Sequence, residues 1–229
     1  MIKSFVKEMQ TKVEENHMDY VIMSGRFEKG TDEQKQGYVM LFGEDNIQYK
    51  FDLYFHWYNL VHELGHCIKN TTDVEMSDLM EEMFVNEFAV GYHRMAGDSS
   101  RLDELEEMIQ NALNKLPSPV LEGEDFISFY ERIWGTEELM NVMTYGYLQL
   151  SSVLQALKNK KDLSETLSKL NISIDRSVKL MKCNLSVSSE NAPLFLDAAR
   201  DNLIKLGVEV PSVRIELQDN PEIQCARCC

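Results

Sequence analysis

Positive charge is what this sequence lacks most. Its 229 residues hold 23 Lys and Arg against 38 Asp and Glu, a formal net charge of −15. Phosphate backbones and anionic lipid headgroups are met by clustered Lys and Arg, so this balance speaks against nucleic-acid binding and against docking on a membrane. A long uninterrupted apolar run is missing too. The stretch Met1 to Met9 has no continuous apolar segment and no small-residue cleavage site, and so does not read as a signal peptide. Leu139 to Leu157 carries no charge and is long enough to span a bilayer. Yet Asn141, Thr144, Gln149, Ser151, Ser152 and Gln155 within it would each need a polar partner in lipid, and a helix buried inside the protein is expected instead. Cysteines are few and odd in number: Cys67, Cys183, Cys225, Cys228 and Cys229. Without a secretion signal they read as reduced thiols of a cytoplasmic protein, not as a disulfide framework. Cys225 and Cys228 form a C-x-x-C, but no second half completes a four-ligand zinc site, and the tail is expected to be solvated. A redox role for that pair is the remotest reading. Internal repeats and linkers that would force a domain cut are also lacking.

What is present is a globular composition, 44% hydrophobic and 27% charged, with chain enough for a sizeable core. Ile2, Phe5, Val6, Met9 and Val13 recur at helical spacing and predict an amphipathic first helix. Asp19 to Phe27 and Gly37 to Phe42 are β-prone runs. Ile47, Tyr49, Phe51, Leu53 and Phe55 alternate with Gln48, Lys50, Asp52, Tyr54 and His56, a period-2 pattern that predicts a strand. A small, largely antiparallel sheet is therefore expected near the N-terminus. Helices are expected over 57–69, 73–95, 102–116, 126–134, 139–157, 162–170 and 193–206, with a short strand at 213–217. The expected fold class is α+β and predominantly helical. One domain with two lobes is expected, 1–97 and a helical 98–229 of unassigned role.

The chemistry lies in His62-Glu63-Leu64-Gly65-His66. On a helix, His62 and His66 stand one turn apart on one face and can point at one ion. Glu63 lies beside them, placed to hold and deprotonate a water without being a ligand. A random arrangement of this composition would produce about 0.01 such H-E-x-x-H motifs, so chance is a poor explanation. A catalytic zinc wants a third protein ligand and one open position. On the next helix Met76, Met80, Met83, Glu87, Val90 and Arg94 are spaced by three or four, so Glu87 interrupts an apolar stripe, where a lone carboxylate demands a cation. The alternative for Glu87 is an internal ion pair with Arg94 or another base. Glu82, on a face with Asp78, Asn86 and His93, is the second candidate ligand. Tyr92, His93, Tyr145 and Tyr147 are candidates for a hydrogen-bond donor to an oxyanion.

These residues resemble the gluzincin metallopeptidases, in which H-E-x-x-H is followed by a glutamate ligand from a second helix. Asn86-Glu87 resembles the Asn-Glu of thermolysin-like and aminopeptidase-like members, although twenty residues separate His66 from Glu87 and Gly91 stands where thermolysin-like enzymes have an aspartate. Asn86-Glu87-Phe88-Ala89 also resembles the Asn-x-Phe-Ala signature of the ImmA/IrrE-like metallopeptidases. In that register the glutamate precedes the signature, which points to Glu82, whereas helical phase favours Glu87. The resemblance covers residues 56–97 and implies a zincin-like sheet beside two ligand helices and one zinc ion. It further implies hydrolysis of a peptide or protein, with the strand expected at 47–55 pairing with extended substrate. The competing reading is a helical interaction or sensor protein that holds zinc and cleaves nothing.

Overall fold

The computed structural model describes residues 13–14 and 17–219. Of the first helix expected through Ile2, Phe5, Val6, Met9 and Val13, residues 1–12 lie outside them, as do the thiols Cys225, Cys228 and Cys229; Val13 belongs to a strand instead. The fold is α+β and predominantly helical, with a small sheet and a His-bearing helix packed on a second ligand-supplying helix, as the sequence led one to expect. In chain order the elements are β1 (Val13–Glu14), β2 (His17–Gly25), a 3-10 turn (Phe27–Lys29), α1 (Asp32–Phe42) and α2 (Ile47–Asp52). A π-helical stretch (Leu53–Tyr58) follows, then α3 (Asn59–Lys69), α4 (Asp78–Met95), α5 (Ser99–Leu113), α6 (Phe126–Ile133) and α7 (Val142–Asn159). The chain continues through α8 (Leu163–Ser168) and α9 (Ala192–Lys205) to β3 (Ser212–Gln218).

β1 pairs antiparallel with β2 through Val13 opposite Met18 and Glu14 opposite His17. β3 runs parallel to β2, from Asp19 opposite Ser212 to Gly25 opposite Gln218. A parallel pair needs a crossover, and here the whole helical body forms it.

Two expected strands are helices. The run 37–42 falls inside α1, whose start is fixed by a capping box: Gln34 N donates to Thr31 Oγ1 at 3.2 Å, and Thr31 N to Gln34 Oε1 at 2.9 Å. The alternating run 47–55 forms α2 and the π-helical stretch. Alternation misled because both of its phases are buried: Phe51, Asp52, Leu53, Tyr54, Phe55, His56, Trp57 and Tyr58 all lie inside. A helix apolar all round belongs to the interior. Its few polar groups follow a helical step of four. Gln48 Nε2 donates to Asp52 Oδ2 (3.0 Å), while Asp52 Oδ1 meets His56 Nδ1 (2.6 Å). His56 Nε2 reaches the Gly25 carbonyl at the end of β2 (3.0 Å). The substrate-pairing role assigned to 47–55 falls with the strand.

The main core draws on residues from Tyr20 to Val213 and so from both sides of residue 97. α3 buries Leu60, Val61, Leu64, Cys67 and Ile68, and truncating Leu60, Leu64 or Ile68 to Ala would cost about 2–5 kcal/mol. α4 packs on α3 closely because Gly65 has no side chain; a Cβ there would lie 3.0 Å from Phe88 Cδ1 and 3.1 Å from Val85 Cγ1. That contact sets the distance between the two ligand-bearing helices. A smaller cluster gathers Phe129, Tyr130, Ile133, Leu139 and Leu148 around α6 and α7. Among the described residues no helix is long and apolar enough to cross a membrane.

Candidate metal centre

α3 carries His62, Glu63 and His66, and the start of α4 carries Glu81 and Glu82. α4 is capped by Ser77, whose Oγ accepts from Met80 N at 3.3 Å. The unpaired N–H groups of a helix start favour carboxylates in that turn. His62, His66 and Glu82 each bring one ligand atom to a common point, all within 4.8 Å of one another. His62 Nε2 stands 3.8 Å from Glu82 Oε2, and His66 Nε2 3.6 Å from Glu82 Oε1. These gaps are too wide for hydrogen bonds. They suit ligands sharing a cation, since two bonds of ~2.1 Å at a tetrahedral angle set their outer atoms about 3.4 Å apart.

Both imidazoles are held from behind through Nδ1, which leaves Nε2 for the shared point. The tautomer of His62 follows from Asn86. One amide atom of Asn86 lies 2.9 Å from the Glu82 carbonyl, which can only accept, so that atom is the NH2 group. The same nitrogen donates to Ser152 Oγ at 3.0 Å. Asn86 Oδ1 then accepts from Tyr58 Oη (2.7 Å) and from His62 Nδ1 (3.0 Å), so Nδ1 carries the proton and Nε2 the lone pair. His66 Nδ1 donates to Glu81 Oε1 (2.8 Å), and Lys69 Nζ stands 3.0 Å from Glu81 Oε2.

The ionisable groups of the cluster perturb one another strongly. Burial, and then the neighbouring His66, push the His62 pKa down to about 3. Burial also lowers His66, but the Glu81 hydrogen bond and the charges of Glu82 and Glu63 outweigh it and lift its pKa to about 9. Glu82 is raised to about 7 by burial, against the pull of His66, with Glu63, Glu81 and Asp78 adding repulsion. A carboxylate so reluctant to ionise gains most from a positive ion. Two imidazole nitrogens and one carboxylate oxygen are a donor set that fits a divalent metal.

Glu87, the third ligand favoured by helical phase, is placed elsewhere. Its Oε1 accepts from Lys161 Nζ (2.7 Å) and its Oε2 from Lys169 Nζ (2.6 Å). With both oxygens paired, it forms the internal ion pair weighed as its alternative, with these lysines in place of Arg94. Arg94 instead donates through Nη2 to the Leu157 carbonyl. Glu82 stands where Glu87 was expected because its carboxylate reaches back over α3, five residues and nearly one and a half turns before Glu87 on α4.

Glu63 lies beside the three convergent groups. Its Oε1 accepts from Asn59 Nδ2 at 3.2 Å. Burial raises its pKa, against the charge of His66 and the Asn59 bond. Of the donors named from sequence, Tyr92 Oη accepts from Asn202 Nδ2 (3.0 Å) and Tyr147 Oη from Ser118 Oγ (3.3 Å). His93 lies against Trp57, with ring centroids 3.8 Å apart. Glu81, Ser152 and the supporting role of Asn86 escaped sequence reasoning; the only available signal was that Glu81 and Glu82 sit together in the first turns of the second ligand helix. Comparison of the chain with models of protein families, with curated proteins and with solved structures gave no match.

Proposed function

We propose that this protein is a zinc-dependent metallopeptidase, with His62, His66 and Glu82 holding the ion and Glu63 acting as general base. The observation that carries this reading is the convergence of two Nε2 atoms and a partly buried carboxylate while both Nδ1 atoms are occupied from behind. A bound zinc would supply Lewis acidity, bringing a water's pKa to about 7 and polarising a carbonyl oxygen.

The chain's own residues would do the rest. Glu63 would accept a proton from the attacking water at its carboxylate and return it to the leaving amine nitrogen. A carboxylate with a raised pKa suits this, because a base works best near the ambient pH. Asn59 would orient Glu63 through Oε1 and leave Oε2 for the proton. Glu81 and Asn86 would hold the two imidazoles in register. The resemblance to the ImmA/IrrE-like metallopeptidases supports Glu82, since the glutamate of that group precedes Asn-x-Phe-Ala. An intracellular peptide or protein is the substrate class it implies, and residues 98–229 would form the helical lobe that braces the site.

A second reading, a non-catalytic zinc-holding interaction or sensor protein, is favoured by limited access: the side chains of His66 and Glu82 are only 14% and 15% exposed. Glu63→Gln separates the two. Under the peptidase reading it keeps one zinc per chain and loses all cleavage of a peptide library, whereas His62→Ala loses both. Library cleavage that is equal in Glu63→Gln and wild type, or absent from both, would remove the peptidase reading.

A further inference from the structure

The small sheet ends on β3. Strand order is β1-β2-β3, so among the described residues β3 is paired on one side only, with β2. Apart from that ladder, no backbone hydrogen bond among the described residues involves Ser212 to Gln218. A row of unpaired N–H and C=O groups along such an edge can accept another strand. The side chains of β3 alternate between two faces. Val213 and Ile215 join the main core, and Leu217 shares their face. Ser212, Arg214 and Glu216 lie on the other face and are exposed. Arg214 Nη2 and Glu216 Oε1 are 2.7 Å apart, with side chains 61% and 45% exposed. Charge on an edge strand normally discourages pairing. Here the charges are of both signs, and that makes the edge selective.

We propose that β3 is the seam of a homodimer, in which the β3 strands of two copies pair antiparallel about a two-fold axis through Ile215 and join the two sheets into one. The charges choose this register. An axis through Arg214 or Glu216 would set like charges directly opposite each other, which is destabilising. An axis through Val213 or Leu217 would leave most of β3 unpaired. Centred on Ile215, all seven residues of β3 pair. Arg214 then faces the partner's Glu216, twice by symmetry, Val213 faces the partner's Leu217, and Ile215 faces its own counterpart. Each Arg214 stands between two carboxylates, one along its own strand and one across the seam. Antiparallel ladders alternate hydrogen-bonded and non-hydrogen-bonded pairs, so the axis fits whichever way the N–H of Ile215 points. The backbone ladder and the apolar rungs supply affinity, while exposed ion pairs, individually weak, fix the register. A contact of one strand pair is small, so the association is weak and reversible. It is independent of the metal reading, because β3 carries no ligand.

The test is sedimentation equilibrium of the full chain from micromolar to millimolar concentration. Physiological ionic strength is used, where repulsion between chains of net charge −15 is screened beyond about 8 Å. Wild type should approach twice the chain mass as concentration rises. Arg214→Glu and Glu216→Arg each place like charges opposite one another at both symmetric pairs and should weaken dimerisation about 10-fold. Both positions are exposed, so the fold tolerates the change, and unaltered circular dichroism spectra check this. An equimolar mixture of the two variants restores opposite charges at both pairs and should dimerise as tightly as wild type. A wild-type chain that stays monomeric throughout, dimers indifferent to both reversals, or a mixture no tighter than either variant alone would overturn the proposal.

Discussion

His93 shows how much a single buried side chain can govern. Its ring lies against Trp57 in the interior, and neither ring nitrogen meets a hydrogen-bond partner among the described residues. Burial, with the nearby charge of Arg101, lowers its pKa to about 3. The folded state therefore holds His93 neutral while the unfolded chain takes up a proton below about pH 6.5. Its contribution is fully present above that pH and is lost as pH falls from 6.5 towards 3, by about 1.4 kcal/mol per unit at most. Urea denaturation between pH 7 and 4 should show a shallower acid loss for His93→Phe than for wild type; parallel profiles would contradict this. The same scale explains what the sequence hid. Glu87 reads as a buried carboxylate in need of a cation, and that much is right. Its cations are Lys161 and Lys169, 74 and 82 residues away, and no local pattern announces them. His62, Glu63 and His66 were legible because their spacing is local and a helix converts it directly into geometry.

At the scale of elements, legibility followed the same boundary. α4, α6, α7 and α9 end near where periodicity and helix signals place them. The run 47–55 did not obey its alternation, since burial of both phases removes the contrast on which a period-2 pattern depends. The four-residue step of Gln48, Asp52 and His56 was the better signal. α1 was missed although Thr31-x-x-Gln34 marks its start. Close packing against α4 was only half visible: Gly91 looked like a departure from a metallopeptidase pattern, but it is where α8 crosses. A Cβ at Gly91 would come within 2.9 Å of Leu163 N and 3.1 Å of Leu163 Cα. Backbone atoms cannot swing aside as side-chain ends can. Gly91→Ala should therefore destabilise by about 1–2 kcal/mol, overpacking outweighing the gain in helix propensity. A denaturation midpoint at or above wild type would show that α8 yields instead.

Across the whole molecule, α4 is the member that everything else steadies. α3 sets its distance through Gly65. α7 reaches it through Ser152 to Asn86, α8 meets it at Gly91, the Lys161 and Lys169 side chains hold Glu87, and α6 covers its acidic start through Trp134 and Asp78. The helical half, to which sequence alone gave no task, thus supplies supports for a centre whose ligands come from residues 62–82. Those long-range contacts depend on packing and leave no trace in local sequence. The measurement that tests the central claim most directly is a zinc titration of the full chain against a chromophoric chelator, with Glu82→Ala and Glu87→Ala beside wild type. One ion per wild-type chain is expected, with affinity reduced by at least about 100-fold in Glu82→Ala and unchanged in Glu87→Ala. No stoichiometric zinc in wild type, or a loss that follows Glu87 and spares Glu82, would contradict it.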